Sequence, residues 1–224
     1  MWWLRRRRRL MQRRQTLLQR RQRWARALRG RGATPNGVSW AGIAFAALAG
    51  AMFYIALSAP AREGVAPLLL ALLGLQGRLW CNRLDGVLAR QTRLVSRAGE
   101  VYNDAPDRLS DVLVCVGLGY GLQASVPWAA QLGWAAALCC VATAYVRMLG
   151  LACGTAEPRQ GPMARVQRMH WLSLSTVLAM PWQWMGQPRI AAWVLIGALA
   201  VLIAGALLTV VLRLRMIVRT LEWT

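Results

Sequence analysis

Histidine occurs once, lysine is absent, and acidic residues number eight against twenty-eight arginines. A single histidine excludes a multi-histidine metal site within one chain, and His170, at the start of an apolar block, reads as structural. The five cysteines, Cys81, Cys115, Cys139, Cys140 and Cys153, show no paired Cys-x-x-Cys spacing, which argues against zinc or dithiol redox chemistry. They lie in or beside apolar blocks and read as small buried apolar residues. No internal repeat on the order of 20 to 50 residues is visible, which excludes a solenoid, and nothing marks off a soluble domain. The lack of lysine carries no functional argument.

What is abundant is apolar: 57 % of the 224 residues are hydrophobic. They fall in six blocks, about 38–59, 65–81, 109–123, 126–152, 171–184 and 190–212. A soluble domain would leave such blocks partly exposed, so the chain reads as an all-α integral membrane protein with six transmembrane helices. Crossing the hydrocarbon takes roughly 20 residues, so the second, third and fifth blocks must borrow polar neighbours and are the ones expected to present polar groups to a shared cavity. With a cytoplasmic amino terminus, twenty-six of the twenty-eight arginines fall on the cytoplasmic side, leaving only Arg62 and Arg189 opposite. Both termini are then cytoplasmic, and the expected location is a bacterial inner membrane.

Residues 1–33 form an arginine-rich arm ahead of a membrane domain spanning 34–224. The long basic stretch from Arg5 to Arg31 precedes any apolar block, which argues against a cleaved leader. Leu10, Leu17, Leu18, Trp24 and Leu28 make a ragged apolar stripe among the arginines, consistent with an amphipathic helix lying on an anionic lipid surface. A solvated basic arm is the plainer alternative. No nucleic-acid partner is expected, because a tethered arm already has anionic lipid beside it. In "ATPNGVSW" the Pro35-Asn36-Gly37 turn leaves Asn36 or Ser39 to cap the first spanning helix.

Five of the eight acids, Asp85, Glu100, Asp104, Asp107 and Asp111, lie in the stretch from Cys81 to Asp111. Were residues 99–111 helical, Glu100, Asn103, Asp104, Asp107 and Asp111 would share a stripe roughly 100° wide. Carboxylates so crowded repel one another and need cations. Arg83, Arg90, Arg93, Arg97 and Arg108 offer an ion-pair network; Mg²⁺ or Mn²⁺ is the alternative, with Asn82 and Asp85 completing the site from the second helix. Pro106 lacks an amide hydrogen, so the helix is expected to begin near it, with Asn103 or Asp104 as its cap. Arg165 and Arg168, three apart before the fifth block, could hold a phosphate group, or simply anchor the chain at the membrane surface.

The order Asn82-x-x-Asp85-Gly86-x-x-Ala89-Arg90, eight residues, then Gly99-x-x-x-Asn103-x-x-x-Asp107 resembles the signature of the class I CDP-alcohol phosphotransferase family. That signature has aspartate where this chain has Asn82 and Asn103; the other six of its eight positions match. "TPNGVS" resembles the family's start to its first helix. The resemblance implies six helices with cytoplasmic ends, and transfer of a phosphatidyl group from CDP-diacylglycerol to an alcohol in phospholipid biosynthesis, with CMP released. It implies Mg²⁺ or Mn²⁺ as cofactor, with Asp85, Asn82, Asn103, Asp107 and the neighbouring Asp104 as candidate ligands. By motif position Asp107 is the candidate general base. Gly86, Ala89, Arg90, Gly99 and Asn36 are implied at the nucleotide and its phosphates.

The two asparagines keep carbonyl oxygens for a cation but remove two charges, so metal affinity should fall. A homodimer is a further implication, with Gly117 and Gly121 able to support close helix contact. Two other classes are open: a non-catalytic scaffold, which Asn82 and Asn103 favour, and a small transporter, which would need acids at mid-span that no block carries.

Overall fold

The structure, a computed structural model, describes residues 30, 34–60, 62–92, 99–158 and 160–222, with the side chains of 35, 86–92 and 99–103 outside the description. The arginine-rich arm expected as a surface helix lies outside the described residues, apart from Gly30. Six helices follow: α1 Pro35–Ser58, α2 Val65–Thr92, α3 Gly99–Leu122, α4 Ala129–Ala152, α5 Arg165–Trp184 and α6 Pro188–Glu222. There is no strand among the described residues.

Each apolar block lies in one of these helices, but four helices run well past the blocks into polar sequence. The reason is physical: only the stretch bathed in hydrocarbon must be apolar, whereas a helix continues for as long as its backbone hydrogen bonds have no better alternative. By length and hydropathy α1, α4, α6 and the Val65–Asp85 part of α2 are sufficient to cross a membrane. The polar segments of α3 and α5 hold them below that mark.

Two expectations about helix starts are corrected. Thr34, not Asn36 or Ser39, caps α1: its side chain accepts a bond from the Gly37 amide at 3.1 Å, and Pro35 sits at the first helical position, where a missing N–H costs nothing. α3 begins at Gly99 and carries Pro106 inside it rather than starting near it. A proline there forfeits one backbone bond, and the ion pairs described below hold the turn in place regardless. Residues 99–111 are therefore helical, as the acidic stripe requires.

Neighbouring helices touch in the cyclic order α1, α2, α5, α6, α4, α3 and back to α1. The apolar interior includes Phe53, Leu68, Leu75, Leu118, Leu172 and Leu199, all fully buried or nearly so. Outward faces carry Leu73, Leu138, Trp193 and Leu207 in exposed positions, the inverse of a soluble surface. α1 and α3 pack backbone against backbone: a Cβ at Gly117 would stand 2.4 Å from the Gly50 carbonyl oxygen, and one at Gly121 2.6 Å from that of Phe53. Both glycines expected at a dimer contact are thus spent inside the chain.

Candidate active site

The polar extensions of α2, α3 and α5 meet, and α4 and α6 close the site from the other side. α2 contributes Arg78 and, two turns on, Asp85; α3 contributes Asp104, Asp107 and Asp111 along one face; α5 contributes Arg165 and Arg168 from its first turn. Asp85, Asp107, Asp111, Arg78 and Arg168 are buried. Charges so placed are tolerated only when paired.

They are paired across the bundle. Asp107 forms ion pairs with Arg78 of α2 and Arg165 of α5. Arg168 donates to Asp111 Oδ2 at 2.5 Å, to Thr143 Oγ1 at 2.8 Å and to the Met163 carbonyl at 3.1 Å. Arg213 of α6 donates to the Thr143 carbonyl at 2.7 Å and to that of Gln160 at 3.0 Å, tying α6 to α4 and to the α4–α5 loop. Nearer the surface, Asp104 receives Arg108 at 2.6 Å and Arg147 at 2.5 Å, and Arg147 also reaches Glu157 at 2.9 Å. Asp85 lies within electrostatic reach of both Arg78 and Arg165.

Beside this cluster a cavity of about 310 Å³ opens at the amino end of α5. Among the described residues five arginines line it, Arg108, Arg147, Arg165, Arg168 and Arg213, against a single acid, Glu157. Such a cavity attracts anions: guanidinium forks match phosphate oxygens, and the helix terminus adds its partial positive charge.

The structure brings Asp85, Asp104, Asp107, Arg165 and Arg168 into one region. Asn82 is half-buried one turn before Asp85, and Asn36 is exposed in the first turn of α1. Gly86, Ala89 and Arg90 continue α2 and Gly99 and Asn103 begin α3, but their side chains lie outside the described ones. Arg168 differs from expectation in one respect: it lines the cavity, yet its guanidinium is largely committed to Asp111, Thr143 and Met163.

Arg78 and Arg147 are participants that motif reasoning passed over. Both interrupt apolar blocks, and a cation inside an apolar block marks an internal partner, so the signal was present.

The donor chemistry suits a hard divalent cation: Asp85, Asp107 and Asp111 supply carboxylate oxygens, and Asp111 Oδ1 is buried without a hydrogen-bond partner among the described residues. In the arrangement seen, however, no three acidic, histidine or cysteine side chains among the described residues are grouped to hold a metal ion. The guanidinium groups stand where a cation's charge would act.

The sequence profile of the family described as CDP-alcohol phosphatidyltransferase matches residues 33–220. No curated protein matches the chain. Among solved structures, the Mycobacterium tuberculosis phosphatidylinositol phosphate synthase with CDP-DAG bound is 22 % identical, covering 88 % of this chain and 92 % of that one with a TM-score of 0.65. The same enzyme in complex with manganese and citrate is 19 % identical, covering 88 % of each chain with a TM-score of 0.63. Its apo form is 22 % identical, covering 83 % of this chain and 93 % of that one with a TM-score of 0.54. At these identities the likeness establishes a common fold.

Proposed function

The chain belongs to the CDP-alcohol phosphatidyltransferase family, whose profile spans residues 33–220, and we propose that it is an integral membrane transferase that moves a phosphatidyl group from CDP-diacylglycerol to an alcohol, releasing CMP. The observation that carries this reading is the buried set Asp85, Asp107 and Asp111 placed directly beside an arginine-lined cavity. Buried acids alone would suit many roles. Acids next to a site for anions suit phosphoryl transfer, in which one group must take a proton while others hold phosphate charge.

In this reading Asp107 accepts the proton of the acceptor hydroxyl. The hydroxyl oxygen then bonds to the phosphatidyl phosphorus, the bond from that phosphorus to the bridging oxygen breaks, and CMP leaves with the electron pair. Asp85, Asn82, Asn103, Asp107 and Asp104 are the candidate oxygen donors for Mg²⁺ or Mn²⁺, which when bound supplies positive charge to the donor's diphosphate. Gly86, Ala89, Arg90, Gly99 and Asn36 are assigned to the nucleotide side by motif position. Arg165 is assigned to a phosphate of the acceptor or lipid, and Arg168 to the same group chiefly by holding the cavity wall. A wall of five arginines suits an acceptor that itself carries an anionic group.

The polar ends of all six helices are taken to be cytoplasmic, with α3 and α5 crossing the bilayer beside the other four and both termini inside a bacterial inner membrane. The arginine-rich arm is assigned to the anionic leaflet.

The test is CMP release by the purified chain with CDP-diacylglycerol, Mg²⁺ or Mn²⁺ and a pool of alcohol acceptors. Acceptor-dependent CMP that falls by at least about a hundredfold in Asp107→Ala is the expected result. Folded protein giving no CMP with any acceptor would favour a scaffold that has lost its chemistry through Asn82 and Asn103.

A further inference from the structure

Arg165 belongs to two places at once: it forms an ion pair with Asp107, and it lines the arginine-rich cavity. We propose that it exchanges between them. Without a cation it pairs with Asp107; with a cation on the carboxylates it turns to a phosphate-bearing anion in the cavity, so that each ligand strengthens the binding of the other. This rests on the reading that Asp107 lies at a divalent-cation site.

Three observations single out Arg165 as the residue that moves. First, its side chain is 28 % exposed, against 4 % for Arg78 and 2 % for Arg168, the other two guanidinium groups on the buried acids. Second, those two are held. Arg168 has partners on three sides, in Asp111, Thr143 and Met163. Arg78 packs against α1, so that a Cβ at Gly42 would stand 3.3 Å from its Nη1. Third, the charges balance as they stand: Asp85, Asp107 and Asp111 face Arg78, Arg165 and Arg168. A dication added to that neutral set leaves it two positive in a place that water reaches poorly, and withdrawing Arg165 halves the excess.

The cavity is a suitable destination. It carries the whole first turn of α5, and Arg168, which lines it, keeps a buried Nε without a hydrogen-bond partner among the described residues. An unpaired buried donor at a helix amino terminus points to an anionic ligand. At about 310 Å³ the cavity admits a small phosphorylated headgroup or a free phosphomonoester rather than an acyl chain. Asn82 and Asn103 fit the same scheme, since with fewer carboxylates a mobile arginine is enough to keep the cation-free state neutral.

The experiment is Mn²⁺ binding to the full chain in nanodiscs of zwitterionic lipid, read from the electron paramagnetic resonance signal of free Mn²⁺ with and without methyl phosphate. A parallel arm replaces methyl phosphate with phosphatidic acid in the disc, separating a soluble phosphate from a lipid headgroup; a response in either arm supports the exchange and names the source. In the wild type the anion should tighten Mn²⁺ binding at least about fivefold, the lower end of ordinary coupling between sites. Arg165→Gln should bind Mn²⁺ more tightly than wild type without the anion and should lose the response. Arg213→Gln, which alters the cavity but removes only bonds to the Thr143 and Gln160 carbonyls, should weaken the anion's effect without tightening Mn²⁺ alone.

A response that persists in Arg165→Gln would overturn the proposal, since the anion would then be meeting the cation directly. Mn²⁺ binding indifferent to either anion would overturn it while leaving the proposed function intact. Absence of Mn²⁺ binding in every variant would remove both.

Discussion

Asp111 and Arg168 expose 1 % and 2 % of their side chains, and neither has water to fall back on. Removing one member of such a pair leaves the other charged and unmatched, which costs about 3–5 kcal/mol, whereas replacing both with apolar groups is often neutral. Arg168→Met should therefore lower stability by about that amount, and Asp111→Leu with Arg168→Met should recover most of it. Thermal unfolding in detergent, wild type beside single and double variants, checks this; a double variant no better than the single would show that Thr143 and Met163 matter more than the carboxylate. At this scale the sequence was legible in its acids and less so in its arginines. The acidic stripe stood out because acids are rare, while Arg78 and Arg147 were submerged among twenty-eight arginines although each interrupts an apolar block.

At the scale of elements, the contact between α1 and α3 brings the site's third helix into place. The atoms nearest a Cβ at Gly117 are the backbone of Gly50, which cannot swing aside as a side chain does. Gly117→Leu should separate the two helices and cost about 1–3 kcal/mol or more, with activity falling as Asp107 moves from α2 and α5. Gly197→Leu is the control: nothing stands within 4 Å of a Cβ there, and stability should change by less than about 0.5 kcal/mol. Equal losses in both variants, measured by thermal midpoint, would refute this account of the α1–α3 contact. Hydropathy located all six helices but ended α2 and α6 too early and began α3 and α5 too late. It reads only the part of a helix that meets hydrocarbon, and the polar turns of α2, α3 and α5 are secured by partners on other helices.

For the whole molecule, the orientation proposed from the placement of arginine is one that a single thiol can report. Cys153, in the turn after α4, is exposed, while Cys81, Cys115 and Cys140 are buried and Cys139 is partly covered. A membrane-impermeant maleimide should label Cys153 in inside-out vesicles and not in intact spheroplasts, and Cys153→Ala should abolish that labelling. Labelling from the outside would invert the topology and place the active site on the wrong face for a cytoplasmic nucleotide.

The sequence by itself determined the membrane character, the six helices among the described residues, the family and the position of the acidic stretch. Those depend on composition and on residues within a few turns of one another, which local spacing records. Only the tertiary structure decided that Asp107 pairs with Arg78 and Arg165, that Arg168 is drawn to Asp111, and that Gly117 and Gly121 face α1 rather than a partner. Each of those links joins different helices across a closed ring, and the geometry of that ring, not the spacing along the chain, sets which of many arginines reaches each acid.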